Sequence, residues 1–87
     1  MLYYYTVYGK ATCEYCADAI NALKRAGFDF VLVLIDNAPD FYAELKKRYD
    51  HQTVPMVVKS SKANGDDLGF VGGCSDLLEE LEQGGYR

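Results

Sequence analysis

No apolar stretch in this sequence approaches the roughly 20 residues that a helix needs to cross a bilayer. The longest run, Phe30 to Ile35, is only a strand's length. Basic residues are also in short supply. Nine Lys and Arg face thirteen Asp and Glu, for a formal net charge of −4 at neutral pH. They do not pool into a patch: the densest group, Lys46-Lys47-Arg48, reads as the last turn of a helix, where cations complement the dipole. An acidic chain without a basic face excludes nucleic acid and anionic membrane surface as expected partners. Cysteine is scarce and odd in number, three in all, which excludes the paired-disulfide framework of a small secreted domain. The single histidine, His51, falls in an expected loop and reads as a solvated loop residue rather than a catalytic base. Met1 to Tyr5 lacks a basic n-region and a small-residue cleavage pattern. It is expected to be strand rather than export signal, with the cytoplasm as the expected location.

What remains is ordinary globular material: 49% hydrophobic and 25% charged over 87 residues, enough for one core and one domain spanning 1–87. Leu2 to Tyr8, rich in Tyr, Thr and Val, suits a strand, and Gly9 to Thr12 breaks it. From Cys13 the period becomes helical, with Cys16, Ile20, Leu23 and Gly27 on one face. Thr12 or Cys13 is the expected cap, and Gly27 the expected end. Phe28 to Ile35 reads as a strand buried on both faces. Asp36 or Asn37 is the expected cap of a second helix with Pro39 in its first turn and an inner face of Phe41 or Tyr42, Leu45 and Tyr49. Val54 to Lys59 and Leu68 to Val71 read as strands around a polar hairpin, Ser60 to Asp67, that contains Asn64-Gly65. Ser75 is the expected cap of a last helix with Leu77, Leu78 and Leu81 inward, closed by Gly84-Gly85. The order is β-α-β-α-β-β-α.

Cys13-Glu14-Tyr15-Cys16 lies where the first strand hands over to the first helix. Unpaired N–H groups and the positive end of the dipole favour a thiolate there. Cys16, one turn further in, is expected to be less exposed. Cys13 is then the attacking sulfur and Cys16 the resolving one. The same spacing is half of a zinc site, and the chain holds a nominal Cys3His set. Cys74 and His51 do not form a second tight ligand pair, however, so a redox dithiol fits better and no metal is expected.

Cys13-Glu14-Tyr15-Cys16, Thr53-Val54-Pro55 and Gly72-Gly73-Cys74-Ser75-Asp76-Leu77, in this order and spacing, resemble a dithiol glutaredoxin over essentially the whole chain. The resemblance implies a thioredoxin-like α/β fold: a four-stranded mixed sheet of order 2-1-3-4 with three helices. It implies a monomeric, glutathione-dependent thiol-disulfide oxidoreductase that reduces protein disulfides and glutathione mixed disulfides, with ribonucleotide reductase a family-typical client. Cys13 would be the nucleophile and Cys16 the resolving thiol. Lys10 and Tyr15 would line the mouth of the site, with Lys10 near the glycyl carboxylate of glutathione. Thr53-Val54-Pro55 would carry a cis proline that turns the Val54 N–H and C=O toward the backbone of a bound cysteine. The residues alone leave cis and trans open. Gly73, Cys74, Ser75 and Asp76 would hold the γ-glutamyl end, with backbone N–H groups near Cys74 and Ser75 on the α-carboxylate and Asp76 on the α-amino group. Cys74 would be an extra, non-catalytic thiol.

The chain departs from the family pattern at several positions. Glu14 stands where dithiol members usually have proline. Gln52 stands where many have a basic residue before the Thr-Val-Pro motif. No clear counterpart exists for the polar residue of the second helix that assists the glycyl carboxylate, for which Lys46 or Arg48 are the substitutes at hand. The hairpin is longer than usual. Two alternatives stay open: a glutaredoxin-like redoxin reduced by a flavoprotein reductase, and a module that binds a [2Fe-2S] cluster.

Overall fold

A computed structural model describes residues 2–85 of the chain. Strand β1 (Tyr3–Gly9) leads into helix α1 (Glu14–Ala26), strand β2 (Phe30–Leu34), helix α2 (Pro39–Tyr49), strands β3 (Met56–Ser61) and β4 (Asp67–Gly72), and helix α3 (Cys74–Glu80). Leu81–Gly85 continues α3 as a π-helical turn that takes in Gly84 and Gly85, the residues expected to close the helix. The sheet has the order β2-β1-β3-β4. Strand β2 is parallel to β1, and the other pairs are antiparallel. This is the thioredoxin-like arrangement.

The period of two along β1 decides which side chains meet which helix. Tyr5 and Val7 face one way and join Ala19 and Leu23 of α1, Phe28, Val57 and Leu77 of α3 in the larger core. Tyr8 faces the other way, with Met56, Ile35 and Leu45 beneath α2. Full burial of one such leucine stabilises the fold by about 1.5–3 kcal/mol. Thr6, on the α2 side of β1, is also buried, and its hydroxyl meets that of Ser60 at 2.8 Å, so neither polar group is left unpartnered.

Several expectations need correction. Strand β2 is not buried on both faces. It is an edge strand of the sheet, and Val31, Leu32 and Leu34 stand 48%, 44% and 53% exposed. Neither Asp36 nor Asn37 caps α2. The cap position is Ala38, with Pro39 following in the first turn as expected. The inner face of α2 uses Tyr42 with Leu45 and Tyr49, while Phe41 lies outward. Strand β3 begins at Met56 rather than Val54 and runs on to Ser61, which shortens the hairpin turn. Ser75 does not cap α3. Gly73 holds that position, and its N–H donates to Asp76 Oδ2 at 2.9 Å. Leu78 of α3 faces outward.

Candidate active site

Helix α1 starts at Cys13 because that residue is its N-cap. Its backbone is extended (φ −98, ψ 114), and its sulfur accepts the Cys16 N–H at 3.1 Å. A thiol sulfur thus does what a Ser or Asp oxygen usually does at this position. The loop before it is tied down from a distance: the Ala11 N–H donates to both Asp36 carboxylate oxygens, at 3.1 and 3.2 Å. Asp36 therefore anchors the loop that presents Cys13, the role it takes in place of capping α2.

The two thiols sit in different surroundings. Cys13 is half-buried, and its Sγ lies 3.9 Å from the Val54 carbonyl oxygen, to which the thiol donates. Cys16 is buried at 3% exposure. Burial first, and then the hydrogen bond with Cys13, push its thiol up to about 12. Gly9 at the end of β1 allows this depth, since a Cβ there would stand 2.8 Å from Cys16 Sγ. Cys74 is also buried, and its thiol is pushed up by burial, with Asp18 and Cys13 acting in the same direction. All three cysteines are free thiols. At neutral pH, Cys16 and Cys74 are therefore protonated.

Two grooves open near the dithiol. The first, of about 490 Å³, collects eight of the expected site residues: Tyr15, Thr53, Val54, Pro55, Gly73, Cys74, Ser75 and Asp76. One wall is the loop before β3, whose Val54-Pro55 bond is cis. The other wall is the turn into α3. That turn requires Gly72 (φ +125), where a Cβ would run into the Asp76 side chain. Lys10 is not part of this groove. It lies with Cys13 and Cys16 along the second, of about 370 Å³, between α1 and the β2 edge. Its ammonium stands 5.0 Å over the Tyr42 ring, and Lys46 of α2 stands 4.5 Å over the same ring. Lys46, one of the two substitutes, therefore shares an aromatic seat with Lys10.

Sequence reasoning missed three residues of the first groove. Asp18 of α1, His51 and the outward-facing Leu78 of α3 line it. His51 is half-buried, not a solvated loop residue. Helix α2 ends at Asp50 in the left-handed region (φ 50), and the His51 N–H then donates back to the Lys46 carbonyl at 3.1 Å. This reversal brings the imidazole edge-on to Phe70 of β4, with ring centroids 5.4 Å apart, and its Nε2 to 3.4 Å from Thr53 Oγ1. No local signal marks that placement. Among the described residues, no group of three or more His, Cys, Asp or Glu is arranged to hold a metal ion.

A buried thiol beneath a half-buried one at a helix start, beside a groove walled by an X-Pro loop, has the chemistry that thiol-disulfide exchange needs. Known proteins resemble the chain as a whole. The family model described as glutaredoxin matches residues 5–62. A glutaredoxin of Pseudomonas aeruginosa is 35% identical over 79 residues, covering 91% of this chain and 84% of its own. The solution structure of a glutaredoxin from Brucella melitensis superposes with a TM-score of 0.76 at 28% identity, over 95% of this chain and 83% of that one. NrdH-redoxin of Escherichia coli, a glutaredoxin-like protein with a thioredoxin-like activity profile, shares the fold with a TM-score of 0.65 at 20% identity, over 91% of each chain. The chain is a redox protein of the glutaredoxin family.

Proposed function

We propose that the protein is a glutathione-dependent thiol-disulfide oxidoreductase that acts through Cys13 and Cys16. The observation that carries this reading is the first groove, in which the Thr53–Pro55 loop and the Gly73–Asp76 turn face each other beside the Cys13-bearing helix. A tripeptide disulfide laid along it has its sulfur at Cys13, its cysteinyl backbone at Val54 and its γ-glutamyl end at Gly73 to Asp76. Backbone N–H groups at the start of α3 donate to the α-carboxylate, and Asp76 accepts from the α-ammonium. Lys10 and Lys46, both seated on Tyr42, offer cations to the glycyl carboxylate.

With a glutathione mixed disulfide, the Cys13 thiolate attacks the glutathione sulfur and the client leaves as a thiolate that takes up a proton. A second glutathione thiolate then attacks the Cys13-bound sulfur, which releases oxidised glutathione and regenerates Cys13. With a client disulfide, Cys13 attacks one sulfur and the other leaves as a thiol. Cys16 gives up its proton as its sulfur displaces the client from Cys13. The client leaves reduced by two electrons, and Cys13-Cys16 is left as a disulfide, which two glutathiones reduce in turn. The raised Cys16 thiol suits this order, because it keeps Cys16 protonated until Cys13 is occupied.

The test is an exchange of electron donors. The oxidised protein should be reduced by glutathione with glutathione reductase and NADPH, at a rate well above that with a thioredoxin-type flavoprotein reductase and NADPH. Efficient reduction by the flavoprotein and none by glutathione would replace this reading with that of a reductase-linked redoxin. Clients, cytoplasmic location and monomeric state belong to the same proposal.

A further inference from the structure

Among the described residues that line the first groove, the acidic side chains are Asp18 from α1 and Asp76 from α3. Besides His51, Tyr15 and Cys74 supply the remaining titratable groups, and no Lys or Arg is present. His51 is thus the one side chain of this lining able to carry positive charge. Its position is set from four directions. The reversal after Asp50 fixes its backbone. Phe70 of β4 packs against the ring, and Tyr49 stacks on the Phe70 ring at 4.6 Å. Thr53 meets Nε2 at 3.4 Å. Nε2 also lies 3.5 Å from the Cβ position of Gly73, at the turn where α3 begins. The imidazole therefore bridges the two walls of the groove.

We propose that His51 is a ligand-binding residue that donates a hydrogen bond to the α-carboxylate of a γ-glutamyl group, and so selects mixed disulfides that carry that carboxylate. This rests on the reading that the first groove holds glutathione. The chemistry follows from what the lining lacks. An α-amino-acid head brings one cation and one anion. Asp18 and Asp76 complement the ammonium, but they repel the carboxylate. Backbone N–H groups alone must then hold the anion against two like charges unless a side chain adds a donor. A histidine between the two walls supplies a side-chain N–H donor for that anion.

The experiment uses the full chain and two probes: a peptide disulfide-linked to glutathione, and the same peptide linked to γ-aminobutyryl-cysteinyl-glycine, which lacks only the α-carboxylate. His51→Ala should raise KM for the glutathione probe roughly 3- to 10-fold, the loss of one hydrogen bond to a charged carboxylate at a partly exposed site. It should leave kcat, and the KM of the second probe, unchanged. His51→Arg, which keeps an N–H donor on this wall of the groove, should restore the low KM, which separates a binding role from a structural one even if the alanine variant is destabilised. Equal effects on both probes, or no effect on either, would overturn the inference while leaving glutathione dependence intact. A wild-type protein that handles both probes with the same KM would instead remove the glutathione reading of the groove and the inference with it.

Discussion

The sulfur of Cys16 occupies the space that a side chain at Gly9 would fill: a Cβ there would stand 2.8 Å from Cys16 Sγ and 3.2 Å from its Cβ. The end of β1 and the first turn of α1 approach so closely only because position 9 carries no side chain. That approach is what sinks Cys16 below Cys13.

Gly9→Ala should therefore be destabilising. Overpacking of this kind costs about 1–3 kcal/mol, and Cys16 is pressed from its seat. Chemical denaturation of the reduced protein reads the loss directly. A variant as stable as wild type, with Cys16 equally protected from modification, would show that the contact is slack.

The two thiols should differ in reactivity. With the Cys16 thiol pushed up to about 12 and its side chain buried, limiting iodoacetamide at mildly alkaline pH should label Cys13 and spare Cys16. Mass spectrometry of the digested protein checks this. In Cys13→Ser, Cys16 should still react slowly, since burial is the first cause of its shift.

Alkali should unfold the protein. Cys16 is raised from an ordinary 9.0 and Tyr49 from 10.0, each to about 12, and Tyr5 is raised by burial and by its hydrogen bond to Glu80. All three hold their protons in the folded state at a pH where the unfolded chain releases them. Their contribution is full below about pH 9 and is lost as pH rises from there through 12. The Tm should be level up to that point and fall above it, and Tyr5→Phe should soften the fall.

Asp36→Ala should loosen the loop ahead of Cys13. The Ala11 N–H loses its carboxylate partner, a loss of about 0.5–1.5 kcal/mol at an exposed site. The sharper readout is hydrogen exchange at Ala11, which should speed up while exchange within α1 stays unchanged. Asp36→Asn, which keeps one oxygen, should fall between.

The element order and the placement of the candidate site's main residues were legible because their signals are local. Period-two alternation marks β1, helical spacing marks α1, and Cys13 and Pro39 sit at helix starts where short-range chemistry favours them. What was not legible depends on partners far along the chain. Asp36 looked like a helix cap because Pro39 follows it, but its partner, Ala11, is 25 residues away. The apolar run in β2 looked doubly buried because hydrophobicity does not report whether a strand lies at the edge of a sheet. His51 looked solvated because its loop is polar. Its place in the groove follows from the reversal at Asp50 and from Phe70 on another strand.

The proposed function divides the nucleophile and resolving roles in glutathione-dependent exchange between Cys13 and Cys16. The most direct measurement is the turnover of a glutathione mixed disulfide, coupled to glutathione reductase, for wild type, Cys13→Ser and Cys16→Ser. The expected result is an active wild type, no activity in Cys13→Ser, and retained activity in Cys16→Ser, because a second glutathione can release Cys13 without the resolving thiol. Activity that survives in Cys13→Ser, or a wild type that cycles between dithiol and disulfide yet never turns over the glutathione substrate, would contradict it.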